Sequence, residues 1–187
     1  MNNRRHFIRN TAILSAGTLL SADLLAAIRS SVSANDKIGL GVIGCKGQGW
    51  QNLTALLKVP EVECVALCDI DENILNQRKT DLDKLNIKPK LYGDYRKLLA
   101  DKHVDIVVVA TPDHWHCLQL IDACAAGKDV FCEKPVANSI YEAQLMNKAV
   151  QRYSRVVQVA QWQRSQQHFR DAIAFVHSGK LGGGAST

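Results

Sequence analysis

The sequence predicts an α/β fold built on a doubly wound parallel sheet. Three observations predict it. Six short apolar runs alternate with stretches whose apolar residues recur at helical spacing. A glycine-rich turn directly follows the first run, and an aspartate directly follows the second. Strands joined through helices of this length call for right-handed crossovers, which lay the strands parallel.

Taken in order, Ile38–Ile43 reads as the first strand and 48–57 as the first helix. Val62–Cys68 is the second strand, and Asp69 to Asp71 turn the chain into a polar-faced helix over 72–85. Lys90–Tyr92 makes a short third strand. Asp94 then caps a helix through Leu99, because its carboxylate can accept the unpaired N–H groups of a first turn. The run 106–110 is apolar at every position, the pattern of a strand covered on both faces. Thr111-Pro112-Asp113 breaks it, and 115–126 follows as a helix ended by Gly127. A fifth strand over 130–132, a helix over 139–153 begun by an Asn/Ser cap, a sixth strand over 156–160 and a helix over 169–177 complete the series.

Residues 1–34 carry Arg4, Arg5, Arg9 and Arg29 against Asp23. The rest of the chain is nearly balanced, so no basic face for nucleic acid is expected. The twin arginines precede Phe7 and a weakly apolar stretch, and Val32-Ser33-Ala34 ends in a small-x-small cleavage pattern. This segment resembles a twin-arginine (Tat) export signal, with the Tat machinery as partner and the periplasm as destination. With Asp23 inside it, the stretch falls short of the roughly 20 clean apolar residues of a spanning helix. Six cysteines in an exported chain suggest disulfides. Cys64 and Cys68 would lie roughly 13 Å apart on a strand, and Cys117 and Cys124 roughly 10.5 Å apart on a helix. Disulfide Cα atoms approach to about 7 Å or less, so neither local pair can close. A tertiary pair stays open, but all six read mainly as buried thiols.

The literal pattern G-x-G-x-x-G falls at Gly39, Gly41 and Gly44, where the first two lie inside a strand. The functional turn must follow the strand, so it is Gly44-Cys45-Lys46-Gly47-Gln48-Gly49. There Gly44 makes the tight turn, Gly47 lets backbone approach a pyrophosphate, and Gly49 lets the helix pack close to the strand. The helix N-terminus offers N–H groups and partial positive charge to phosphate. Lys46 stands at the second glycine position of the fingerprint; either the loop runs differently or its ammonium assists. Trp50 after Gly49 excludes a Walker A loop. Asp69, 25 residues after Gly44, suits a ribose diol and repels a 2′-phosphate, favouring NAD over NADP. The alternative for Asp69 is a helix cap, a role that Asp71 suits better.

Thr111-Pro112-Asp113-His114-Trp115-His116 follows the fourth strand, and Glu133-Lys134-Pro135 follows the fifth. With the glycine turn and Asp69, these resemble the Gfo/Idh/MocA family over about 37–181, the Glu-Lys-Pro turn being the most specific marker. Segments 158–164 and 178–182 also resemble that family's passage into a second domain. The resemblance implies a Rossmann-type, nicotinamide-dependent oxidoreductase acting on a sugar or polyol. It implies Lys134 as the catalytic residue beside the nicotinamide, Glu133 and Pro135 fixing its turn, and Thr111, Pro112 and His116 lining the cofactor groove. Both loops leave the carboxyl ends of parallel strands, where ligands bind in such sheets. A lysine desolvated there favours its neutral form, which suits acid–base work on an alcohol.

Family members carry a second α/β domain that binds substrate, supplies further Asp or His groups and often forms the oligomer contact. The expected organisation is therefore a signal over 1–34, a nucleotide-binding domain over 35–160, and over 161–187 a passage into a second domain that is missing or truncated. Any homo-oligomer would need that domain. His114 and His116 lack a companion at metal-ligand spacing, so no metal is expected, and His114 and Trp115 read as cleft wall. Two other functions remain in view. One is a glycosidase that oxidises a sugar transiently and recycles its NAD. The other is a non-catalytic NAD-binding fragment.

Overall fold

The computed structural model describes residues 37–180 and 182. The segment read as an export signal, with its arginines and its cleavage pattern, lies outside the described residues. Six strands, β1 (Ile38–Ile43), β2 (Val62–Cys68), β3 (Lys90–Tyr92), β4 (Ile106–Val109), β5 (Asp129–Cys132) and β6 (Val157–Val159), form one sheet. All pairs are parallel, in the order β3-β2-β1-β4-β5-β6. Helices alternate with them: α1 (Gln48–Leu56), α2 (Glu72–Asp83), α3 (Tyr95–Leu99), α4 (His116–Ala125), α5 (Ile140–Tyr153) and α6 (Gln167–His177). This is the doubly wound order expected of a Rossmann fold, whose strand sequence reverses between β1 and β4.

Side chains alternate across each strand and split the interior in two. Leu40 and Val42 of β1 with Val108 of β4 pack against Leu53 of α1 and Leu75 and Leu82 of α2. Ile43, Val107 and Val109 pack on the other face against Leu98 of α3, Leu120 of α4 and Met146 of α5. Truncating one of these leucines to alanine costs about 2–5 kcal/mol, the lost transfer energy plus the cavity. All six cysteines are buried and free. Burial pushes the thiols of Cys64, Cys68 and Cys132 up to about 12, so they act as small apolar residues.

Element ends differ from expectation by a residue or two, for local reasons. α2 stops at Asp83 because the Ile87 N–H returns to the Leu82 carbonyl (3.0 Å) through Asn86, which adopts a positive φ of 57°. Pro112 is extended (ψ 146°), so Asp113–Trp115 forms a 3₁₀ turn and α4 starts one residue later than expected. Asp71, Asp94 and Ser139 cap α2, α3 and α5. None of the residues of α6 is buried. Among the described residues, no helix is long and apolar enough to cross a membrane.

At the amino ends of the strands, Asp101 organises the turn into β4. Its carboxylate, 4% exposed, accepts from Lys90 Nζ (2.9 Å), Tyr92 Oη (2.8 Å) and the His103 backbone N–H (3.0 Å). The His103 amide and then the Lys90 ammonium hold its pKa well below the usual carboxylate range. A depressed folded-state value stabilises the fold fully above the unfolded value of about 3.9, and that stabilisation is lost as pH falls below it. Asp101→Asn should therefore cost about 2 kcal/mol at neutral pH. In urea titrations the gap from wild type should hold from about pH 5 to 8 and shrink below about pH 4. A gap independent of pH would assign the loss to packing.

Candidate cofactor and catalytic site

The site is assembled from four loops that leave the carboxyl ends of β2, β1, β4 and β5. The glycine turn begins at Gly44, whose φ of +87° and whose closeness to Ala110 both demand glycine; a Cβ there would meet the Ala110 carbonyl oxygen at 2.7 Å. Gly47 (φ +47°) is the N-cap of α1, which has no side-chain cap and no acid in its first turn. A Cβ on Gly49 would overlap the Gly44 carbonyl oxygen and press on Ala110 at the end of β4. Lys46 is exposed and needs no positive φ, so a side chain is tolerated at the second position of the fingerprint.

Asp69 directly follows β2 and is partly exposed. Its Oδ2 accepts the Cys45 N–H (2.8 Å) and its Oδ1 the Asp71 N–H (3.1 Å). The cap of α2 is Asp71, which accepts from the Asn73 N–H (2.9 Å). Asp69 is thus a brace on the glycine turn, and its remaining lone pairs can still accept from a ligand. Ile70 beside it is 94% exposed.

After β4, the Thr111 hydroxyl donates to Gln119 Oε1 (2.7 Å), a buried amide on α4. His116 does not line an open groove. Its ring is buried, with Nε2 2.8 Å from the Thr111 carbonyl and Nδ1 2.8 Å from the Pro135 carbonyl. It joins the Thr111 loop to the Glu-Lys-Pro turn, a structural tie between the two loops. Trp115 and His114 are exposed on the 3₁₀ turn.

The turn after β5 has a buried foot and an exposed tip. Glu133 is 4% exposed; its Oε1 accepts from Asn52 Nδ2 of α1 (2.7 Å) and its Oε2 from the Lys134 backbone N–H (3.1 Å). Gln48 Nε2 donates to Asn52 Oδ1 (3.1 Å), which orients that amide. Lys134 and Pro135 are exposed, and their peptide bond is cis. Among the described residues the Lys134 ammonium has no ion pair. Asn52, Gln119 and Arg78, whose Nε donates to the Cys45 carbonyl (3.1 Å), escaped the sequence reading. The partners of Asn52 and Arg78 lie 81 and 33 positions away, and no local pattern marks any of the three.

Inositol 2-dehydrogenase of Salmonella paratyphi B is 33% identical over 144 residues, covering 76% of this chain and 42% of that protein. Glycosyl hydrolase family 109 protein 1 of Shewanella sp. (strain ANA-3) is 29% identical over 168 residues, covering 79% of this chain and 37% of that protein. The crystal structure of myo-inositol 2-dehydrogenase from Lactobacillus plantarum superposes with a TM-score of 0.70 at 26% identity, over 78% of this chain and 42% of that one. The chain thus spans about two fifths of the length of these relatives. Residues 38–161 match the Gfo/Idh/MocA model, described as an oxidoreductase family with an NAD-binding Rossmann fold, and the chain belongs to that family.

Proposed function

We propose that this chain forms the cofactor-binding part of an NAD-dependent oxidoreductase that acts on a sugar, a polyol or a related carbinol. The carrying observation is the order of the loops. Asp69, the glycine turn, Thr111-Pro112 and Glu133-Lys134-Pro135 stand on the ends of four strands that are neighbours in the sheet. An elongated ligand laid across those ends meets a carboxylate, then outward N–H groups at a helix N-terminus, then an exposed lysine. The residues fit a dinucleotide in that order.

Asp69 would receive the adenosine ribose diol and disfavour a 2′-phosphate, with Ile70 offering apolar surface to the base. Gly44, Lys46, Gly47 and Gly49 would hold the diphosphate, and Thr111 and Pro112 would flank the far half. Bound NAD supplies the hydride chemistry. Lys134 would hold or move the proton of the reacting hydroxyl. Glu133, Asn52, His116 and Pro135 keep the lysine's backbone in place, so only its side chain need adapt. The glycosyl hydrolase family 109 relatives carry a second reading, in which oxidation is transient and NAD is recycled. Glycoside cleavage without net NADH would separate that reading from the first.

In the complete gene product, assayed with a panel of polyols and hexoses, Lys134→Ala should lower kcat by about 10²–10⁴-fold. Its NAD affinity should stay within about threefold, since the substitution spares the turn that holds phosphate. Equal turnover would remove Lys134 from the mechanism. Asp69→Asn should weaken NAD binding by about tenfold and narrow the preference over NADP; an unchanged preference would leave Asp69 as a brace alone. We also propose Tat-dependent export, which rests on the Arg4-Arg5 pair and the Val32-Ser33-Ala34 pattern. Replacing both arginines with lysine should leave an uncleaved precursor in the cytoplasm, and normal processing of that variant would refute the reading.

A further inference from the structure

One cation near the glycine turn has no place in the scheme above. Arg78 lies on α2, yet its Nε donates 3.1 Å to the carbonyl of Cys45, 33 residues earlier. Two contacts hold it there. Its Nη1 meets Asp81 Oδ2 at 3.1 Å, and its guanidinium carbon sits 4.4 Å from the centre of the Trp50 ring. The side chain is only 13% exposed, so its charge is fixed rather than waving in solvent. Trp50 follows Gly49, where a Walker A loop would place its phosphate-binding lysine. Here the indole carries a cation that arrives from another helix.

The Cys45 peptide groups are pinned at both ends. The Cys45 N–H donates to Asp69 (2.8 Å) and the Cys45 carbonyl accepts from Arg78. The bond from Cys45 to Lys46 is trans, so the Lys46 N–H points opposite to the Cys45 carbonyl. With the carbonyl turned toward Arg78, that N–H is turned away from it, in a turn whose next residues, Lys46 and Gly47, are exposed. Among the described residues, the N–H groups of Lys46, Gly47 and Gln48 have no hydrogen-bond acceptor.

We propose that Arg78 is a positioning residue for the diphosphate of the dinucleotide: by holding the Cys45 carbonyl it turns the Lys46 N–H outward as a phosphate donor. This inference rests on the cofactor reading. It adds a requirement specific to phosphate, which a general role in folding would not show.

The test is isothermal titration of the full chain with NAD, ADP-ribose and adenosine, alongside thermal unfolding of each variant. Arg78→Met should weaken NAD and ADP-ribose by about tenfold and adenosine by less than about twofold. Asp81→Asn, which frees one anchor of the guanidinium and leaves Trp50 and the turn intact, should show the same selectivity at about two- to threefold. Should Arg78→Met fail to fold, Asp81→Asn carries the decision. An equal loss for adenosine and ADP-ribose, or no loss for either, overturns the proposal while leaving the cofactor reading standing. If the unsubstituted chain binds neither NAD nor ADP-ribose, both fall together.

Discussion

Each loop of the site starts from the same stitch. The first N–H beyond a strand donates to the last carbonyl of the neighbouring strand. Asp69 bonds Tyr92 (3.2 Å), Gly44 bonds Cys68 (2.9 Å), Ala110 bonds Ile43 (2.9 Å) and Glu133 bonds Val109 (2.9 Å). A buried peptide group left unpaired costs about 1–3 kcal/mol, so the loops cannot drift from this register without a penalty. The stitches hold four loops level along one edge of the sheet. Because the order reverses between β1 and β4, α1 covers one face and α4 the other, and the edge between them stays open.

Side chains then tie the levelled loops to one another. Asp69 and Arg78 fix the glycine turn, Asn52 and Glu133 join α1 to the lysine turn, and His116 joins that turn to Thr111. Among the described residues, no buried side-chain polar atom lacks a partner. A fully paired polar network of this kind specifies one arrangement, whereas a half-paired one would leave several of similar energy. The groups left exposed are those suited to a ligand: Lys46, Ile70 and Lys134.

The frame of the fold was legible because it depends on short-range pattern. An unbroken apolar run such as Ile106 to Val109 can be covered only on both faces, and Asp71, Asp94 and Ser139 announce helix starts by chemistry alone. The glycine turn was legible from its place after a strand. Asp69 was legible as a site residue, but its bonds to Cys45 and Asp71 were not, since they depend on how two strand ends meet. The family resemblance implies His116 as a groove-lining residue, and its place in the loop after β4 does not announce a structural tie. Its two carbonyl partners, on Thr111 and Pro135, come from different loops and appear only when β4 and β5 pair. Arg78 and Asn52 were silent for the same reason, being single polar residues on helices whose partners lie 33 and 81 positions away.

The departure at Lys46 shows what a fingerprint encodes. Glycine is demanded where φ is positive or where a Cβ would strike backbone. Gly44 meets both conditions, Gly47 the first and Gly49 the second. Lys46 meets neither requirement of geometry: it has no positive φ, and its side chain stands in solvent. Glycine at that position would serve a ligand that needs the backbone bare, not the turn itself. A lysine there trades that bareness for charge, beside a helix start without acids and near a half-buried arginine paired with Asp81. The Lys46 ammonium and the helix start then lie on one turn, while the Asp69 carboxylate accepts a backbone N–H of that same turn. Asp69 and Arg78 thus hold the two ends of the Cys45 peptide groups, and what the turn leaves exposed is the Lys46 side chain beside a helix start whose N–H groups carry partial positive charge.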